Sequence, residues 1–156
     1  MAILDERTEF CDAVACNTGA AGTYNLGDLI DSSVVRDMGN GQPVYLIVTV
    51  DTEIITGGTA GTVAFQLVSD STDTISTTTQ TVHYTSKAFV TDDTALTELQ
   101  AGEVAVCVAL PAEGVAYERY LAVQQVTGTT AITAGKVNAF LSLDPVTNQK
   151  TYANAI

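Results

Sequence analysis

The chain has 156 residues, 46% of them hydrophobic and only 15% charged, with 18 Asp plus Glu against 6 Lys plus Arg and a formal net charge of −12. One domain of this length buries roughly two thirds of its unfolded surface and stands without disulfide or metal staples. So negative a surface repels phosphate backbones and anionic lipid, which sets nucleic acid and membrane aside as partners.

The N-terminal stretch MAILDERTEF lacks the basic start and apolar core of a signal peptide, and no apolar run approaches the roughly 18 residues that span a bilayer. Residues 1–20, rich in small residues, are expected as an arm, followed by an edge strand around Leu26 to Ile30. In PVYLIVTVD, Val44, Leu46, Val48 and Val50 share one face while Tyr45, Ile47 and Thr49 share the other, the pattern of a central strand. GTVAFQLVSD repeats it, with Val63, Phe65 and Leu67 on one side and Ala64, Gln66 and Val68 on the other. The Thr-rich stretch that follows offers a possible strand in TISTTTQTVHYT and a short strand or helical turn in ALTELQ. Then come EVAVCVAL, with Val104, Val106, Val108 and Leu110 together, RYLAVQQV over 119–126, and KVNAFLSL over 136–143, with Val137, Ala139, Leu141 and Leu143 inward. Short strands spaced by turns, without long helices, predict an all-β fold: a single β-sandwich of jelly-roll type over 21–143, ending in a C-terminal tail over 144–156.

Residues that carry chemistry are sparse. His83 is the only histidine, so any triad must use it, and QTVHYTS reads as an ordinary strand with no nucleophile motif nearby. Asp92 and Asp93 are adjacent, and adjacent strand side chains point to opposite faces, whereas the two acids of a glycosidase flank a cleft. DTEIITGGTAGT is Gly-rich but lacks the lysine and following helix of a phosphate loop, and neither it nor SDSTDT has calcium-loop spacing. Cys11, Cys16 and Cys107 lack zinc-ligand spacing and are expected as free thiols of a reducing compartment. No catalytic residue, metal or cofactor is expected.

Five blocks in order, ILDE, RDMGNGQPVYLIVTVD, GTVAFQLVSDS, ERYLAVQQVTG and ITAGKVNAFLSLDP, resemble the capsid cement, or decoration, proteins of tailed phages, in particular short-tailed ones. The resemblance spans nearly the whole chain. It implies a jelly-roll domain, without enzymatic role, that binds the outer surface of an icosahedral capsid and clamps neighbouring major capsid subunits. The family's pattern falls on Asp37, Gly39, Gly41 and Pro43, on Arg119, Tyr120 and Leu121, and on Ala134, Gly135, Lys136 and Val137, all read as structural positions, with Arg119 pairing with a nearby acid. The chain departs from the family in its longer Thr-rich segment over 70–100 and in Cys11 and Cys16.

On this reading the arm and the tail lie on a neighbouring protein, with Ile3, Leu4, Asp5, Phe10, Tyr152 and Ile156 as contact candidates. Strands with apolar residues on both faces need a second cover, which points to a homo-oligomer, a dimer before a trimer. The expected place is the outer surface of the virion, after synthesis in the host cytoplasm. The alternative is a carbohydrate- or receptor-binding β-sandwich module, disfavoured by the absence of Trp and an aromatic content of 6%. A fibre subunit assembled by strand exchange would need a secretion signal.

Overall fold

Alternating branched residues form strands because Val, Ile and Thr hold stiff side chains that pack well on a pleated surface. The computed structural model describes residues 6–33, 41–57, 60–92, 97–112 and 114–145. Among these, after a 3-10 turn at Glu6–Thr8, nine strands form: β1 (Glu9–Ala15), β2 (Gly22–Asp31), β3 (Tyr45–Thr56), β4 (Thr62–Asp70), β5 (Thr81–Thr85), β6 (Phe89–Val90), β7 (Val104–Ala109), β8 (Tyr120–Gly128) and β9 (Ile132–Ser142). One sheet has the order β1-β9-β3-β7 and the other β2-β8-β4-β5, with β6 also on β4. The antiparallel pairs β1–β9, β2–β8, β3–β7 and β4–β5 nest like one long folded hairpin. Ladders β3–β9 and β4–β8 roll that hairpin into two faces. The result is a β-sandwich with jelly-roll topology, as the strand pattern predicts.

The core lies between the sheets, where Leu46, Val48 and Val50 of β3 share one cluster with Val63, Phe65 and Leu67 of β4, Leu121 and Val123 of β8, and Val137, Ala139 and Leu141 of β9. Each large side chain removed from water there contributes about 2 kcal/mol. Ile47 points away from this cluster, yet it is 0% exposed within the single chain, so it offers no bare surface for a second copy to cover.

Several expectations need correction. Residues 9–15 belong to the sheet rather than to an arm, so the sandwich begins at Glu9. Phe10, expected to reach a partner, is 1% exposed in the core, and Cys11 and Cys16 are buried with it. The pairing of β1 with β9 shifts register twice, and Ala13 sits at φ 48. Bulges of this kind erase the period-two pattern from which strands are read. In β7 a register shift makes Ala105 an extra residue, and Ala105 rather than Val104 packs against the core. Strand β9 starts four residues earlier than expected and ends at Ser142, leaving Leu143 56% exposed. Of TISTTTQTVHYT only Thr81–Thr85 is a strand.

The residues before it fold over the outer face of the second sheet. There Ile75 joins Val68 and Ala122 in a small separate cluster with Tyr120 against it. Gln124, fully buried, pins the loop: its Nε2 donates to Ser76 O (2.9 Å) and to Asn25 Oδ1 (2.7 Å), and its Oε1 accepts from Gln80 Nε2 (2.9 Å). Asp70 starts the same loop by accepting the backbone N–H groups of Thr72 and Ser76. That use of Asp in turns explains why so many acids lie at strand ends.

Candidate functional site

The one histidine meets a hydroxyl and stands near a carboxylate. His83 Nε2 on β5 lies 2.7 Å from Ser69 Oγ on β4, and Ser69 Oγ also accepts the backbone N–H of Glu118 at 3.1 Å. The ring of Tyr117 stacks on the imidazole with centroids 4.0 Å apart, and the Glu118 carboxylate accepts from Thr81 Oγ1 at 3.0 Å. Nothing in the sequence pattern marks this meeting, because it brings together residues separated by up to 49 positions along the chain. Its geometry is that of a clasp. Ser69 is 0% exposed, so an incoming carbonyl has no approach to the hydroxyl, whose oxygen already holds a backbone amide. Burial pushes the imidazole below its ordinary pKa, with Glu118 opposing, so His83 is neutral at pH 7.

The thiols divide by environment. Burial pushes Cys11 up to about 11 and Cys16 up to about 12, which keeps both as unreactive thiols. Cys107 is exposed on β7, and all three cysteines are free. Among the described residues no group of three or more His, Cys, Asp or Glu is placed to hold a metal ion.

Of the contact candidates, Ile3, Leu4, Asp5, Tyr152 and Ile156 lie outside the described residues, as do Asp37 and Gly39 of the motif positions and Asp93. The remaining motif positions have structural work. Gly41, at φ 101, turns the chain ahead of Pro43 and β3, a conformation that costs glycine little. Gly135, at φ 145, lets β9 pass so close to β3 that a Cβ there would sit 2.7 Å from Ile54. Arg119 pairs with Asp31, its Nε and Nη2 each 2.8 Å from a carboxylate oxygen, and its guanidinium lies over the ring of Tyr120. That fork holds Asp31 down at about 2, helped by the Ser33 amide.

The large apolar side chains exposed among the described residues are Leu29, Val82, Val90, Val115 and Leu143, set on edges and end loops. The alternation of KVNAFLSL predicts Leu143 as an inward residue, and the structure leaves it exposed.

These features define a jelly-roll domain whose polar side chains mainly tie down its own loops. A family model described as Bbp16 matches residues 10–141, close to the limits of the sandwich itself, and the chain belongs to the Bbp16 family. No curated protein matches it.

Proposed function

We propose that this Bbp16-family chain is a capsid cement protein, which binds the outer surface of an icosahedral phage shell and bridges neighbouring major capsid subunits. One observation carries the reading. Four of the five blocks that resemble cement proteins coincide with β3, β4, β8 and β9, the inner strands of both sheets. The likeness therefore lies in the framework, and the edge strands and end loops are free to suit a particular shell.

A fastener needs no deep cleft. Many copies, each adding modest contact, together raise the force that opens a shell. The clasp geometry of Ser69 and His83 favours this reading over hydrolysis. Among the described residues the exposed large apolar side chains are all aliphatic, which disfavours a sugar-binding platform built on aromatic rings there.

Self-association is part of the proposal. Edge strand β7 reads VAVCVA, without a charge, and an apolar edge of that kind is an open template for another strand. A dimer is expected by sedimentation velocity, and a monomer at all concentrations removes that part.

The test of the main reading is cosedimentation of purified protein with empty shells of its own phage, together with the temperature at which the shells break. Binding and a raised disruption temperature are expected. Affinity for a soluble sugar without affinity for shells overturns the reading.

A further inference from the structure

Strand β2 leaves its ladder with β8 between Leu26, which pairs with Val123, and Ile30, which pairs with Leu121. Gly27, Asp28 and Leu29 thus stand opposite the single residue Ala122, and Leu29 is left 36% exposed. A groove lies on each side of it. One, of about 370 Å³, is walled by Arg7, Glu9 and Asp31; the other, of about 290 Å³, is walled by Asp28 and, from the loop after β4, Asp73. Both sit at or below the lower end of the size range of small-molecule pockets, and each is large enough for individual side chains.

The charges on this seam are unequal. The smaller groove has two exposed carboxylates and no cation in its wall, and among the described residues neither Asp28 nor Asp73 forms an ion pair. Nearby Arg119 is occupied by both oxygens of Asp31. A second copy of the chain would bring another net charge of −12 against this flank. A positively charged side chain gains there, and an apolar neighbour gains on Leu29.

We infer that the Leu29 seam docks an extended, basic segment of the shell protein, with a Lys or Arg in the groove between Asp28 and Asp73 and an apolar side chain on Leu29. Extended backbone places alternate side chains roughly 6.6 Å apart, which suits two adjoining grooves that share one ridge. The inference rests on the cement reading and names the contact that reading leaves open.

The experiment is cosedimentation with empty shells at low and physiological salt, using wild type, the double variant Asp28→Asn/Asp73→Asn, and Leu29→Ser. Thermal melting checks that each is folded. Binding about tenfold weaker is expected for the double variant at low salt, with a flatter salt dependence, because two surface ion pairs are lost. Leu29→Ser weakens binding several-fold without changing the salt dependence. If the double variant melts early, Leu29→Ser, whose side chain lies outside the core, decides alone. Shell binding by wild type with unchanged affinity in the variants overturns this inference and leaves the cement reading standing. Absence of wild-type binding overturns both.

Discussion

At the end of the sandwich where β8 begins, the loops are tied by charge and by a titratable ring. Arg119 forks onto Asp31, and Ser69 joins His83 to the amide of Glu118. At the opposite end the buried ties are neutral, and the charged one, Glu98 holding the Val90 N–H and pairing with Lys87, lies at the surface. Gln125, fully buried, accepts the N–H of Asn17 at 2.8 Å and donates to its carbonyl at 2.9 Å and to Thr127 Oγ1 at 2.7 Å, as a neighbouring strand would. Thr56 donates to Thr91 O and Thr97 to Ile54 O. The difference is one of kind: a titratable ring is built into the ties of the first end, while the buried ties of the second are neutral, and each end adds one exposed ion pair, Arg119–Asp31 or Lys87–Glu98, that salt screens.

The largest effect is expected at the buried neutral tie of Gln125. Gln125→Leu strands the polar groups of Asn17 and Thr127 and should cost about 3 kcal/mol, equally at pH 5 and pH 8, in urea denaturation. A cost that changes with pH would erase the contrast between the ends. Next, Ser69→Ala leaves the Glu118 amide and the imidazole without their partner and should cost about 2 kcal/mol at pH 8. Hydrogen exchange should then accelerate around residues 117–119 and not around Asn17.

The pH dependence follows from His83. Its folded pKa is depressed, so below the ordinary value of 6.5 the unfolded chain takes up more protons than the folded one. Stability from this site is therefore complete above 6.5 and falls as pH drops from there towards the depressed value. His83→Gln should flatten that limb of the stability curve; an equally steep limb in the variant means another group is responsible. The smallest effect belongs to Asp31. Its carboxyl is held at about 2 against 3.8, so its contribution is present above 3.8 and is lost as pH falls towards 2. Asp31→Asn should remove that acid limb, and the difference from wild type should shrink in high salt, which screens an exposed pair.

Much of the framework was legible because alternation is a local property. Val63, Phe65 and Leu67, or Val137, Ala139 and Leu141, declare their inward face within a few residues. The candidate contacts were far less legible. Phe10 read as an arm residue because β1 is bulged, and the acidic seam at Leu29 depends on a loop 44 or more positions away in the chain. Gln124 and Gln125 look alike in the sequence, yet one fastens the loop on the outer face and the other the turn between β1 and β2.

By itself, then, the sequence determined the strand-forming runs, the two-sheet fold, the acidic surface and the turn role of its aspartates, since these follow from side-chain shape, period and charge along short stretches. Only the tertiary structure decided that β1 is an integral edge paired with β9 more than 120 residues away. It likewise decided that the Thr-rich segment is a cover and that the lone imidazole meets a buried hydroxyl. Those outcomes depend on which distant strands become neighbours, and that is set by the packing of the whole chain.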